Sequence, residues 1–153
     1  MSTEIFPEDE ASLSAAILDA AGPLQILGGD TRRVGRVPGD RKLSTARLKG
    51  IVLYEPGALT LVAKTGTPVA DIEKALIAEN QRLAFEPMDH RILLGTQGTP
   101  TLGGVMAANV SGPRRIQVGA ARDFALGVSF VDGSGQLLKN GGRVMKNVTG
   151  YDL

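Results

Sequence analysis

Two glycine clusters constrain this chain more than any other feature of its sequence. Leu24-Gln25-Ile26-Leu27 is a β-prone run that passes directly into Gly28-Gly29-Asp30-Thr31. Far along the chain, Thr99-Pro100-Thr101-Leu102-Gly103-Gly104 opens a helical stretch of small residues that continues to Asn109, Ser111 and Gly112. Glycine lets main chain approach a neighbour that a Cβ would hold away. Backbone N–H groups in such loops, with a helix N-terminus beside them, are suited to cradling phosphate. Either cluster alone reads as a tight turn, and it is their combination that points to a ligand. The standard nucleotide motifs are absent: no G-x-G-x-x-G follows a strand, and no G-x-x-x-x-G-K-[ST] occurs.

The rest of the chain reads as one domain of mixed helices and strands. Leu13, Ala16, Ile17, Ala20 and Ala21 recur at helical spacing before Gly22-Pro23 stops them. From Val34 to Lys49 the sequence is basic and irregular, with no interleaved aromatic residue, and reads as a solvated loop. Ile51-Val52-Leu53-Tyr54 and Thr60-Leu61-Val62-Ala63 read as two strands joined at Glu55-Pro56-Gly57. Thr67 as N-cap and Pro68 at the first helical position introduce a second helix, with Val69, Ile72, Leu76 and Ile77 on its apolar face and an end near Asn80. Asp132-Gly133-Ser134-Gly135, between two β-prone runs, reads as a hairpin turn. Such an order argues for an α+β or α/β chain.

Composition excludes several function classes. With 42% hydrophobic residues and 17 basic against 16 acidic side chains, the chain is not a disordered polyanion or polycation. A net charge of +1 gives no footprint for nucleic acid or an anionic membrane. Zero cysteines exclude a disulfide scaffold, a zinc ribbon, an iron-sulfur cluster or a thiol nucleophile in this chain. His90 is the single histidine, so a multi-histidine metal site is unavailable, and it sits in a polar stretch beside Asp89 and Arg91, where a surface role is the expectation. No nucleophile elbow or paired carboxylates occur, so acyl transfer and glycoside hydrolysis lack support. The acidic N-terminus is unlike a signal peptide, and no apolar run approaches the about 20 residues of a transmembrane helix. The expectation is a soluble, cytoplasmic chain.

From Pro100 onward the motifs fall into a familiar order. Thr101-Leu102-Gly103-Gly104, Asn109, Gly112-Pro113-Arg114-Arg115, Gly119, Arg122-Asp123, Leu126-Gly127 and the ending Val144-Met145-Lys146-Asn147-Val148-Thr149-Gly150-Tyr151-Asp152-Leu153 resemble the PCMH-type, or vanillyl-alcohol oxidase-type, FAD-binding domain. Within it they look most like the E subunits of bacterial glycolate oxidase (glycolate dehydrogenase), and residues 27–31 and 64–68 fit the same branch. The motifs are specific in combination and weak singly.

The resemblance implies an α+β fold of two α/β subdomains, with residues 1–153 forming an incomplete flavin domain that lacks the family's later strands and substrate-cap region. It implies FAD held by Gly28, Gly29, Asp30 and Thr31 in the first loop and by Pro100, Thr101, Gly103, Gly104, Asn109 and Gly112 in the second segment. Many relatives place a flavin-linked histidine where Asp30 and Thr31 stand here, so noncovalent FAD is expected. The implied function is a subunit of a glycolate (2-hydroxy acid) oxidoreductase that passes electrons through flavin to an iron-sulfur subunit beside a companion flavin subunit. No catalytic residue is assigned. Any membrane association would be peripheral to the inner membrane and through those partners. Two alternatives stay open: a non-catalytic assembly subunit that keeps the flavin-domain shape, and a relative of the flavin-dependent reductase of cell-wall precursor synthesis, which fits the ending less well.

Overall fold

A computed structural model describes residues 3–35 and 41–142. Arg36 and the ending at residues 143–153 lie outside the described residues. The first layer is a parallel three-stranded sheet ordered β1-β3-β2, with β1 at Thr3–Ile5, β2 at Leu24–Leu27 and β3 at Arg41–Ser44. Helix α1, Glu10–Leu18, connects β1 to β2. Its start is fixed by a capping box: Ser12 N–H donates to Asp9 Oδ1 (2.7 Å), and Asp9 N–H donates to Ser12 Oγ (3.1 Å). The helix ends at Leu18, one turn earlier than the spacing of Ala20 and Ala21 predicts.

Strand β3 corrects the reading of the basic stretch as loop. Arg41, Lys42 and Leu43 pair with Thr3, Glu4 and Ile5 on one side and with Leu24, Gln25 and Ile26 on the other, which makes β3 the central strand. Leu43 is fully buried. A four-residue strand with one strongly apolar residue has almost no periodic signal, and it forms because ladders on both sides satisfy its backbone. The flanking Arg47 guanidinium pairs with Glu8 (2.8 Å) and stacks 5.2 Å from the Phe6 ring centre, tying the segment to the N-terminus.

Next come the antiparallel pair β4 (Ile51–Glu55) and β5 (Thr60–Ala63), joined through a single 3-10 turn at Pro56–Ala58. Helix α2, Val69–Ala78, buries Val69, Ile72 and Leu76 as expected, whereas Ile77 is exposed. Gln81 locks the end of this helix to the hairpin: Tyr54 Oη donates to Gln81 Oε1 and Gln81 Nε2 donates to Pro56 O, each at 2.9 Å. Pro68, not Thr67, occupies the N-cap position. Thr67 is buried for another purpose: its Oγ1 accepts Gly50 N–H (2.9 Å) and donates towards Lys64 O (2.6 Å), welding the 64–67 turn to the start of β4.

Three short helices follow: α3 at Arg91–Leu94, α4 at Leu102–Ala108 and α5 at Arg115–Val118. The chain then forms the antiparallel hairpin β6 (Gly127–Val131) and β7 (Leu137–Gly141) around the expected 132–135 turn. Asp132 Oδ1 accepts the Ser134 and Gln136 N–H groups, which closes that turn. Ser14 Oγ on α1 donates to Gly135 O, so the hairpin tip is pinned to the first layer. Among the described residues, no helix is long and apolar enough to cross a membrane.

Candidate cofactor site

The structure brings the two glycine clusters into direct contact. Strand β2 delivers Gly28 and Gly29 against the residues that lead into α4. A Cβ on Gly28 would lie 3.0 Å from Thr101 Oγ1 and 3.9 Å from Gly104 N. A Cβ on Gly29 would overlap Thr99 O, and one on Gly98 would overlap Gly29 O. Thr99 N–H donates to Gly29 O (2.9 Å), and Thr96 Oγ1 donates to Thr31 O (2.8 Å). The 96–99 segment is therefore a strap that grips the first loop by its carbonyls.

This grip decides the loop's chemistry. Two of its carbonyls are occupied, whereas the N–H groups of Gly28, Gly29, Asp30 and Thr31 have no hydrogen-bond partner among the described residues. Asp30 stands at φ +54, a left-handed conformation of the kind used in anion-binding backbone turns. Half-buried donors without acceptors are costly unless something accepts from them. A run of such donors fits an anion better than a cation.

Around α4 the donors are already used. Thr101 is buried at the N-cap, its Oγ1 accepting Gly104 N–H at 3.3 Å. Leu102 N–H donates to Thr67 O (2.9 Å) and Gly103 N–H to Thr65 O (2.7 Å). Pro100 O accepts Val69 N–H (2.9 Å), and Pro68 and Thr101 form an isolated antiparallel bridge. A Cβ on Gly103 would overlap Thr65 Oγ1. Gly103 thus serves close packing against the 64–67 turn. Thr65 and Thr67 carry no signal in sequence beyond their neighbourhood to Pro68, yet they set where α4 begins.

Asn109 and Gly112 lie on the exit from α4. Asn109 is left-handed (φ +47) and caps the helix, with Oδ1 accepting Arg122 N–H (3.2 Å) and its backbone O accepting Arg115 Nη1 (2.9 Å). Gly112 N–H donates to Glu86 O (3.1 Å), and a Cβ there would overlap the Glu86 carboxylate. Glu86 Oε2 also accepts Arg114 N–H (3.0 Å). Between them Ser111 has a buried Oγ with no hydrogen-bond partner among the described residues. Sequence places Ser111 in the small-residue stretch but gives it no role of its own, because an unpaired hydroxyl becomes visible only once its surroundings are known. His90 remains peripheral, at the start of α3, beside an Asp89 whose pKa is lowered to about 2 chiefly by its hydrogen bonds from Arg91.

A family profile described as "FAD binding domain" matches residues 2–141. The chain belongs to the FAD-binding domain family. Glycolate oxidase subunit GlcE of Escherichia coli (strain K12) is 41% identical over 132 residues, covering 86% of this chain and 36% of that protein. D-2-hydroxyglutarate dehydrogenase of Xanthomonas citri pv. viticola is 30% identical over 140 residues, covering 92% of this chain and 27% of that protein. In fold, the chain is similar to alkyldihydroxyacetonephosphate synthase, with a TM-score of 0.72 at 17% identity over 97% of this chain and 27% of that one. The chain thus spans about a third of the length of the curated relatives it matches. The expected α+β, PCMH-type flavin fold and the expected cofactor, FAD, both hold.

The residues present fit this cofactor family. Its diphosphate is an anion that needs several N–H donors, and the 28–31 loop offers four without partners among the described residues. The orphaned Ser111 hydroxyl is a second group in want of a polar partner.

Proposed function

We propose that residues 1–153 act as one flavin-domain unit within the FAD-binding subunit of a glycolate-type, 2-hydroxy-acid oxidoreductase. The observation that carries this reading is the strapped 28–31 loop, whose N–H groups have no acceptor among the described residues while Thr99 and Thr96 hold the carbonyls of Gly29 and Thr31. The 41% identity to a glycolate oxidase subunit supports the substrate class.

In this reading Gly28, Gly29, Asp30 and Thr31 donate their N–H groups to the FAD diphosphate. Thr101, Gly103 and Gly104 with Pro100 build the wall against which the loop closes, and Asn109, Ser111 and Gly112 continue the cofactor-facing segment. When bound, FAD supplies the two-electron acceptor that oxidation of a small 2-hydroxy acid requires. The chain's own part is to bind and orient the cofactor, and it assigns no residue as acid or base to the substrate. Asp30 and Thr31 offer no imidazole or thiol for a covalent flavin link, which supports noncovalent binding. Cysteine is absent from the sequence, so onward transfer would run to an iron-sulfur partner subunit, next to a companion flavin subunit. A cytoplasmic location, with any membrane attachment made through those partners, belongs to the same proposal.

The test is a visible spectrum after incubation with FAD and removal of the excess. Flavin absorption that stays with the protein and is released by denaturation is the expected result. A colourless protein would overturn the FAD-holding role and favour the non-catalytic assembly subunit.

A further inference from the structure

Asp30 poses an electrostatic problem within the loop just described. Its left-handed backbone (φ +54) is one that asparagine, aspartate and glycine tolerate, so its place in the turn has a conformational reason. Its carboxylate nevertheless puts a negative charge on the same short loop as N–H groups suited to an anion. Two like charges brought together disfavour one another. Arg33 answers this charge: its Nε donates to Asp30 Oδ1 (2.7 Å) and its Nη2 to Asp30 Oδ2, a two-pronged grip on both oxygens. The side chain of Arg33 is 75% exposed, against 35% for Asp30, and no other partner holds it among the described residues. An ion pair this exposed adds little to folding stability, so its consequence lies in the charge it presents to a ligand.

We propose that Arg33 is a positioning residue for cofactor binding, which holds and neutralises the Asp30 carboxylate so that an anionic diphosphate can occupy the N–H groups of residues 28–31. This rests on the FAD reading above and adds to it a residue outside the glycine loop. The same guanidinium keeps the Asp30 carboxyl below the usual carboxylate range, with a smaller attraction from Lys42 on β3. Protonation therefore does not remove the charge at neutral pH, and a cation must.

FAD dissociation constants, from flavin fluorescence on the intact chain, test the proposal across Arg33→Gln, Asp30→Asn, Arg33→Lys and the double variant Asp30→Asn/Arg33→Gln. Arg33→Gln is expected to weaken binding about tenfold at low salt, with the deficit shrinking in 0.5 M salt to about threefold. The double variant is expected to recover to within about threefold of the unsubstituted chain, and Arg33→Lys to retain most of the affinity. Equal loss in the double variant and in Arg33→Gln would overturn the proposal, because Arg33 would then act on the cofactor without Asp30. An Arg33→Gln chain that binds like the unsubstituted one would overturn it too. Hydrogen exchange keeps the two readings apart: if FAD fails to protect the amides of residues 28–31 in the unsubstituted chain, the loop assignment itself falls, whereas protection with a flat mutant cycle removes only the role of Arg33.

Discussion

The two ends of the described chain are built in opposite ways. Around β2, β3 and the start of α4 the packing is close: Gly29, Gly98 and Gly103 leave no room for a Cβ, Gly28 leaves very little, and Leu43, Leu48, Ile72, Thr67 and Thr101 are buried. In strands β6 and β7 every residue but Val131 is exposed, including Val128, Phe130, Leu137 and Leu138. The hairpin is ordered by its ladder and its turn, and Ser14 to Gly135 joins it to the first layer. The first region therefore holds the close packing and the proposed cofactor loop, while the second contributes local structure with little burial of its own.

That contrast is sharpest at Leu43, which is fully buried at the centre of the parallel sheet. Leu43→Ala is expected to lower unfolding free energy by about 3 kcal/mol, measured by urea denaturation. A loss below about 1 kcal/mol would mean that the sheet is not the stabilising element.

How much of this was legible in sequence differs by residue. The strands flanking Gly28 and Glu55, the helix carrying Val69, Ile72 and Leu76, and the Asp132 hairpin were readable because period and turn chemistry are local. Strand β3 was not, since Leu43 stands alone among Arg41, Lys42 and Ser44 and its partners lie at Thr3–Ile5 and Leu24–Leu27. The two loops that meet could be named from their glycines. Their strap could not, because Thr96 and Thr99 look like ordinary loop residues until Thr31 O and Gly29 O are beside them. Thr67 read as a helix cap for the same reason: a threonine before proline carries that local signal, whereas its bonds to Gly50 are non-local.

Gly29→Ala attacks the clamp without touching the core. Its Cβ would overlap Thr99 O, so strap and loop must separate, at a cost of about 1–3 kcal/mol. Loss of retained FAD should exceed the change in stability, as read by flavin content against the thermal midpoint. Retention of full flavin content would detach the clamp from the site. Thr67→Val keeps the shape but strands Gly50 N–H, and about 1–2 kcal/mol of destabilisation is expected by denaturant titration. Phe130→Ser, on the exposed hairpin, should change stability by less than about 0.5 kcal/mol. A large loss there would erase the contrast between the two regions.

Acid probes the segment that links them to the strap. Asp89 accepts the Arg91 N–H at 3.0 Å and its guanidinium at 2.7 Å, at the start of α3 and shortly before Thr96. Because the carboxyl is held at about 2 in the fold against an ordinary 3.8, its contribution is complete above pH 3.8 and disappears as pH falls through 2. The expected result of a carboxyl NMR titration is a midpoint near 2 for Asp89, moving back towards 3.8 in Arg91→Gln. Both groups are substantially exposed, so the shift should scarcely alter global stability, and the Thr99 to Gly29 bond should survive it. An Asp89 that titrates near 3.8 in the unsubstituted chain would show that Arg91 does not hold it, and that the approach to the strap is as loosely tied as the hairpin.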